Sequence, residues 1–338
     1  MVWLYSFQKK NNKSKSGISV VICSRNDFSN LKKNLPFFLN QDYPEFEVIV
    51  VDDASEDETW QYLQEVSGSN KNLKPIHVNA KNSPGKKQAL RTGISNATHS
   101  YVLLSDADCC PQTRNWISSH SQFIHSDHTM VLGYGKHEKT KGFLNLLQRF
   151  DTATIAIQYM NSALWKYPYM GVGRNMGYTK DLIISAKDST TALASGDDDL
   201  FVQAIKHKAH FKVNAEKESF TTSPAKKTWK EWLNQKGRHT TTAPYYSFVT
   251  KLGLMQQWLT GLLLYLGIFI IFLTGNWVTA LTLFWLNALC ILLFNSLWMS
   301  KLAEKDLILL SPILNIIYIF VQPAFVIKSL GRNKEKWS

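Results

Sequence analysis

The chain has 338 residues, of which 45% are apolar and 19% charged, and its formal net charge is +12. The apolar share allows a sizeable core or a membrane part, and the basic balance suits nucleic acid, an anionic lipid surface or a phosphorylated substrate. The four cysteines, Cys23, Cys109, Cys110 and Cys290, fall in no CxxC or Cys/His spacing, which excludes the usual zinc sites, and they read as reduced and structural.

Residues 1–17 form a basic, polar lead-in. The opening MVWLYSF is too short for the apolar region of a signal peptide and fits the stub of an upstream span. A buried strand is expected over 18–23, then a helix over 29–40 with Ser29 as its N-cap. A second strand over 46–51 runs into Asp52-Asp53. A helix over 59–66, a strand over 75–78 and a helix over 86–96 follow. The next strand, 101–104, leads to Asp106 and Asp108, and another is expected over 130–133. Residues 143–164 read as one long helix, with Asp151 and Gln158 as solvent-facing or packing positions. Strands alternating with helices predict βαβ units and a mostly parallel sheet.

The soluble domain is expected over 18–248. Within it, residues 226–236 carry Trp229, Trp232 and Leu233 on one helical face amid a basic excess. That pattern suits an interfacial helix on an anionic leaflet, and equally a helix packed on the domain. A membrane domain is expected over 249–330. No charge occurs from Leu252 to Ser300, enough for two spans at about 254–274 and 278–299 with a turn at Gly275-Asn276-Trp277. A third apolar run, 307–327, holds Pro312 and Pro323 and suits a kinked, re-entrant or interfacial segment. Lys328 and the tail over 331–338, with Arg332, Lys334 and Lys336, would lie outside after three crossings from a cytosolic domain. The positive-inside bias therefore favours two spans plus a third segment that does not cross.

Three acidic clusters stand out: Asp52-Asp53, Asp106/Asp108 and Asp197-Asp198-Asp199. Polar residues at the carboxyl ends of parallel strands line the crevice where such folds bind ligands. Asp106 and Asp108 share a face if the strand pleat continues. Two such carboxylates repel unless a cation lies between them, and hard cations such as Mg²⁺ or Mn²⁺ take oxygen ligands. The pattern suggests a metal–phosphate site; the plainer alternative is a turn or helix start at Asp108 before Pro111. Pro84-Gly85-Lys86-Lys87 ahead of a helix offers amides and a lysine to an anion. There is no Walker loop. Gly171, Gly173 and Gly177 are spaced one residue too widely for a dinucleotide fingerprint, although GVGRNMGY suits a loop shaping an acceptor pocket.

The stretches ISVVICSRNDFSNLKKNL, QDYPEFEVIVVDDASEDET, PGKKQAL, LLSDADCCP, SGDDDLF and QKGRH occur in the order found in family 2 glycosyltransferases. Over about residues 18–245 the chain resembles the membrane-anchored, inverting members with a GT-A fold, related to cellulose and poly-N-acetylglucosamine synthases. The resemblance implies an α/β nucleotide-sugar-binding domain followed by transmembrane helices. It implies that Asp53, with Asp52, holds the base and ribose of the donor, and that Ser24 and Arg25 line the nucleotide pocket. Lys86 would meet the donor phosphates, Asp108 would bind Mg²⁺ or Mn²⁺, and Asp106 the ribose or metal. Asp197 matches the general base, with Asp198 as rival because Gly196 replaces the family's glutamate. Gln235 and Arg238 match QxxRW and would reach the diphosphate and acceptor. His239 stands in place of the tryptophan, which removes a support for long-chain processivity. The implied partners are a nucleotide sugar, most often UDP-linked, a glycan or lipid-linked acceptor, and the bilayer of the inner or plasma membrane, with the catalytic domain cytoplasmic. Transfer to a polyprenyl phosphate and an inactive membrane scaffold are the competing readings. Nucleic-acid binding, which charge alone allows, has no matching motif.

Overall fold

A computed structural model describes residue 8 and residues 16–79, 86–124, 126–185 and 198–330. The chain divides into two units. One holds the chain up to Glu138 together with Ala156–Ala225; the other holds Lys139–Ile155 and Lys226–Arg332.

The first unit is built on a seven-stranded sheet. In chain order it contains β1 (Ile18–Ser24), α1 (Phe28–Leu39), β2 (Phe46–Asp53), α2 (Thr59–Ser69), β3 (Leu73–Val78), α3 (Lys87–Ser95), β4 (Tyr101–Asp106), β5 (Cys110–Pro111), α4 (Trp116–Ser121), β6 (Thr129–Leu132) and β7 (Gly135–His137). The long helix α5 (Phe143–Leu164) is shared between the units. Then come β8 (Met176–Thr179), α6 (Asp181–Ser185), α7 (Asp199–Ile205), β9 (His210–Val213) and β10 (Thr221–Ser223). The sheet order is β3-β2-β1-β4-β8-β6-β9, and β5-β10-β7 form a small second sheet.

The core strands β1 and β2 carry β-branched residues on both faces because helices cover both sides of a parallel sheet. Val20, Ile22, Val48 and Val50 pack with Leu35 and Phe38 of α1 and with Trp116 of α4. Neighbours β3, β2, β1 and β4 are parallel, but β8 runs antiparallel to both β4 and β6. This strand begins within the GVGRNMGY stretch expected to be a loop and extends one residue past it. It has four residues and an internal glycine, so its strand state comes from pairing on both sides rather than from propensity. Helix α1 begins after Asp27, which leaves Ser29 inside the first turn instead of at the cap.

Asn175, just before β8, is a buried hub. Its Oδ1 accepts from Trp116 Nε1 and His120 Nε2, each at 3.0 Å, and its Nδ2 donates to Tyr134 O and Ser219 O. Because that oxygen can only accept, His120 carries a proton on Nε2. Burial pushes the His120 imidazole down to about 4.

The second unit contains α8 (Trp229–Thr240), α9 (Phe248–Leu273), α10 (Trp277–Lys301) and α11 (Ser311–Leu330). Helix α8 starts with a capping box: Thr228 Oγ1 accepts from Glu231 N, and Glu231 accepts from Thr228 N. The last three helices are long and apolar enough to cross a membrane. Phe269, Ile270, Trp285 and Leu293 are exposed on them, as expected of side chains that face lipid.

Two expectations change here. Trp232 is fully buried against Phe325 of α11, ring centroids 5.2 Å apart, so it anchors α8 to protein, while Trp229 stays half-exposed. Asp151 is neither solvent-facing nor a simple packing residue. It is fully buried, ion-paired with Lys236 of α8, and accepts a hydrogen bond from Tyr318 of α11 at 2.6 Å. Two positions before it, buried Arg149 is bidentate to Asp306 and also bonds Glu304, both in the α10–α11 connection. Hydrogen bonds from Arg149 and Lys139 hold the Asp306 carboxyl well below the usual carboxylate range.

Candidate active site

The site forms where β1, β2 and β4 end. In register, Ser24 lies opposite Asp52 and Cys23 opposite Asp106, so the three strands finish level. Ser24, Asp52, Asp53 and Asp106 are therefore lined up along one sheet edge, as the parallel-sheet reading expects. The loop after β1 is tied to the loop after β2. Asn26 N donates to Ser55 Oγ and Glu56 N donates to Asn26 Oδ1, which holds exposed Arg25 at this edge. Asp52 is fully buried and its Oδ2 lies 2.7 Å from His77 Nδ1 on β3. The His77 ring in turn lies 4.8 Å from that of Trp60. Ser24 Oγ is buried without a hydrogen-bond partner among the described residues.

The strand pleat does not continue past Asp106. The chain turns there: Cys109 N donates back to Asp106 O at 3.0 Å, and Asn34 of α1 donates to the Ala107 carbonyl, also at 3.0 Å. The turn, not the pleat, brings the two carboxylates together. Oxygens of Asp106 and Asp108 and the Cys109 sulfur lie within 4.8 Å of one another. Burial, and then the charge of Asp106, raise the Asp108 carboxyl, while Cys109 and Arg174 pull it the other way. Burial followed by the two carboxylates pushes the Cys109 thiol well up, so it stays protonated and donates to Asp108 Oδ1.

Lys86, at the N-cap position of α3, places its ammonium 2.6 Å from Asp106 Oδ1. Pro84 and Gly85 lie outside the described residues. A methyl placed on Gly173 would lie 3.5 Å from Lys86 Nζ and 3.6 Å from Asp198 Oδ2, so the α7 end of the acidic run meets the same spot. Asp198 caps α7. Its Oδ1 accepts from Asp199 N and its Oδ2 from Gly173 N, both at 2.9 Å. Asp197 lies outside the described residues. The first unit thus gathers Ser24, Asp52, Asp53, Lys86, Asp106, Asp108 and Asp198. Gln235, Arg238 and His239 sit on α8 of the second unit, where Gln235 and Arg238 are half-buried and His239 is exposed.

Arg174 was not anticipated. Its guanidinium donates to Gly135 O at 2.6 Å and its charge acts on Asp108. The only clue was a lone cation within a glycine-rich stretch. His77 was also missed, because nothing in the sequence shows that β3 pairs with β2.

The first unit is a mostly parallel, GT-A-like α/β sheet with acidic side chains at its carboxyl edge. Residues 19–184, just under half of the chain, match the family model described as glycosyl transferase family 2. A mannosyltransferase from Pyrobaculum calidifontis, solved in complex with GDP-Man and Mn²⁺, shares the fold. It covers 96% of this chain and 90% of its own, with a TM-score of 0.60 at 15% identity. An uncharacterized glycosyltransferase of Haemophilus influenzae is 26% identical over 154 residues, 45% of this chain and 44% of that protein. A poly-beta-1,6-N-acetyl-D-glucosamine synthase of Staphylococcus epidermidis is 32% identical over 100 residues, 30% of this chain and 24% of that protein. The chain spans less than half the length of these curated relatives.

Proposed function

We propose that the protein is a membrane-bound, metal-dependent, inverting glycosyltransferase acting on a nucleotide sugar, with a glycan or lipid-linked acceptor of the cell surface. The catalytic domain would work at the cytoplasmic face of the inner or plasma membrane. The observation that carries the reading is the cluster of Asp106, Asp108 and Lys86 at the end of β4. The donor set there is two carboxylates beside a protonated thiol, which fits a hard divalent cation such as Mg²⁺ or Mn²⁺. Bound there, the cation would offset the charge of a diphosphate leaving group.

Lys86 adds a second positive charge for the diphosphate. Asp53, Asp52, Ser24 and Arg25 hold the nucleoside. Asp197 takes the proton of the acceptor hydroxyl as that oxygen attacks the anomeric carbon, and a single displacement inverts the centre. Asp198 is the weaker candidate for this role, because both its oxygens already accept backbone amides. The resemblance assigns Gln235, Arg238 and His239 to the diphosphate and acceptor. The staphylococcal relative's name makes a nucleotide-linked N-acetylglucosamine the first donor to try, and the archaeal structure's title makes GDP-mannose the second.

The test is nucleotide release by the detergent-solubilised protein from a panel of UDP- and GDP-sugars, with and without Mn²⁺. Release from one donor, dependent on the cation and on Asp108, is the expected result. No release from any donor, with or without Mn²⁺, would overturn the reading. Organic extraction of labelled product would separate a small polyprenyl-linked product from a glycan.

A further inference from the structure

Arg174 is a half-buried cation on a rigid mount. Its carbonyl accepts from Ser105 Oγ of β4 at 3.2 Å and from Thr221 Oγ1 of β10 at 3.1 Å. The next side chain, Asn175, is held by its bonds to Trp116, His120, Tyr134 and Ser219. A Cβ on Gly135 of β7 would collide with Arg174 Nε, so the glycine makes the room that the guanidinium occupies. An arginine serving only as a surface charge would lie along the surface with its head in water and need no such mount.

Most of its hydrogen-bonding capacity is unused. A guanidinium is a planar fork of N–H donors. Among the described residues Arg174 makes one side-chain hydrogen bond, from Nη2 to Gly135 O, and no ion pair. Its Nε is buried without a partner. A buried donor left unmet is costly, and native structures rarely keep one without a reason. The nearby carboxylates are engaged elsewhere: Asp106 takes Lys86, and Asp108 takes the Cys109 thiol. The Arg174 charge acts on Asp108 through space without an ion pair between them.

Its place along the sheet edge separates it from the nucleoside. Asp52 and Asp53 end β2 and Ser24 ends β1; the next strand, β4, ends at Asp106. Arg174 precedes β8, the strand after that, and reaches away from β4 to β7. The edge thus runs from the nucleoside residues through the carboxylates to Arg174. What lies beyond the diphosphate of a nucleotide sugar is the sugar, and beyond the sugar is the acceptor. The cation at Asp106 and Asp108, together with Lys86, already supplies positive charge to the diphosphate.

We infer that Arg174 is a specificity residue for a second anion, a carboxylate or phosphate borne by the transferred sugar or by the acceptor. The inference rests on the glycosyltransferase reading above and narrows its substrates: one of the two carries an acidic group besides the donor's diphosphate. Spare N–H groups in a fixed fork match the paired oxygens of a carboxylate or phosphate, and a lysine could not match them in the same way.

The test is binding to the detergent-solubilised full chain. One arm compares UDP-glucose with UDP-glucuronate, and GDP-mannose with GDP-mannuronate, by calorimetry in Mn²⁺. If the sugar bears the anion, one uronate binds about tenfold tighter than its neutral partner, or more. The other arm uses saturation-transfer NMR in Mg²⁺ on protein loaded with UDP or GDP. If the acceptor bears the anion, glucuronate or methyl phosphate binds saturably and glucose does not. In either case Arg174→Met removes the preference, and Arg174→Lys, which keeps the charge without the fork, retains part of it. Nucleotide binding with no preference in either arm would overturn the inference alone. A variant Arg174→Met that lost bare UDP or GDP as strongly as the uronates would also overturn it, by assigning the arginine to the diphosphate. Absence of all nucleotide binding would bring down the glycosyltransferase reading and this inference together. The preference is read on the parent protein, so the inference is refutable even where a substitution impairs folding.

Discussion

Lowering the pH from 7 to 5 should weaken the first unit through His120. The imidazole is fully buried, gives its only available proton to Asn175, and is held at about 4. Unfolding returns it to the ordinary value near 6.5. A histidine with a depressed folded value binds its proton mainly in the unfolded state, so its contribution is complete above about pH 6.5. It is lost as the pH falls through 6.5 toward 4. Linkage between those two values gives a loss of about 2 kcal/mol from pH 7 to pH 5. Most carboxylates stay ionised over that interval, and comparison with a His120 variant separates this residue from the other eight histidines. The assay is urea unfolding at the two pH values, scored by resistance to a proteolytic pulse and compared with His120→Gln. The glutamine amide can still donate to Asn175, so the variant should fold and lose most of the pH dependence. Equal pH dependence in the two proteins would refute the buried neutral imidazole.

Asp108→Asn should lower transfer at least 100-fold and weaken its dependence on Mn²⁺, as measured by nucleotide release; unchanged activity would remove Asp108 from the site. Asp197→Asn should abolish transfer while Asp198→Asn mainly destabilises α7, and the reverse pattern would transfer the role of base to Asp198. Lys236→Met strands buried Asp151 and should cost about 3–5 kcal/mol in thermal unfolding. Adding Asp151→Asn should recover most of it, because the amide still accepts from Tyr318. Pro323 cannot donate to the Ile319 carbonyl four residues before it, and Trp258 supplies that hydrogen bond instead. Trp258→Phe should therefore cost about 1–2 kcal/mol, and less in a Pro323→Ala background where the helix regains its own donor; strictly additive effects would contradict the geometry.

What the sequence determined by itself is the part written in short-range pattern. The ISVVIC and FEVIVV runs specify buried parallel strands because burial on both faces demands continuous apolar residues. The long uncharged stretch specifies two helices long and apolar enough to cross a membrane, with a turn between them. Ordered motifs with acidic residues at strand ends were enough to indicate the glycosyltransferase class. Tertiary structure decided what depends on residues distant in the chain. Strand β8 exists because β4 and β6 flank it. Asp106 and Asp108 converge through a turn held by Asn34, not through the pleat. The charge of Asp151 is tolerated in the interior because Lys236 and Tyr318, far along the chain, arrive to meet it. Local composition cannot encode such meetings, since the energy that fixes them arises only when separate elements pack.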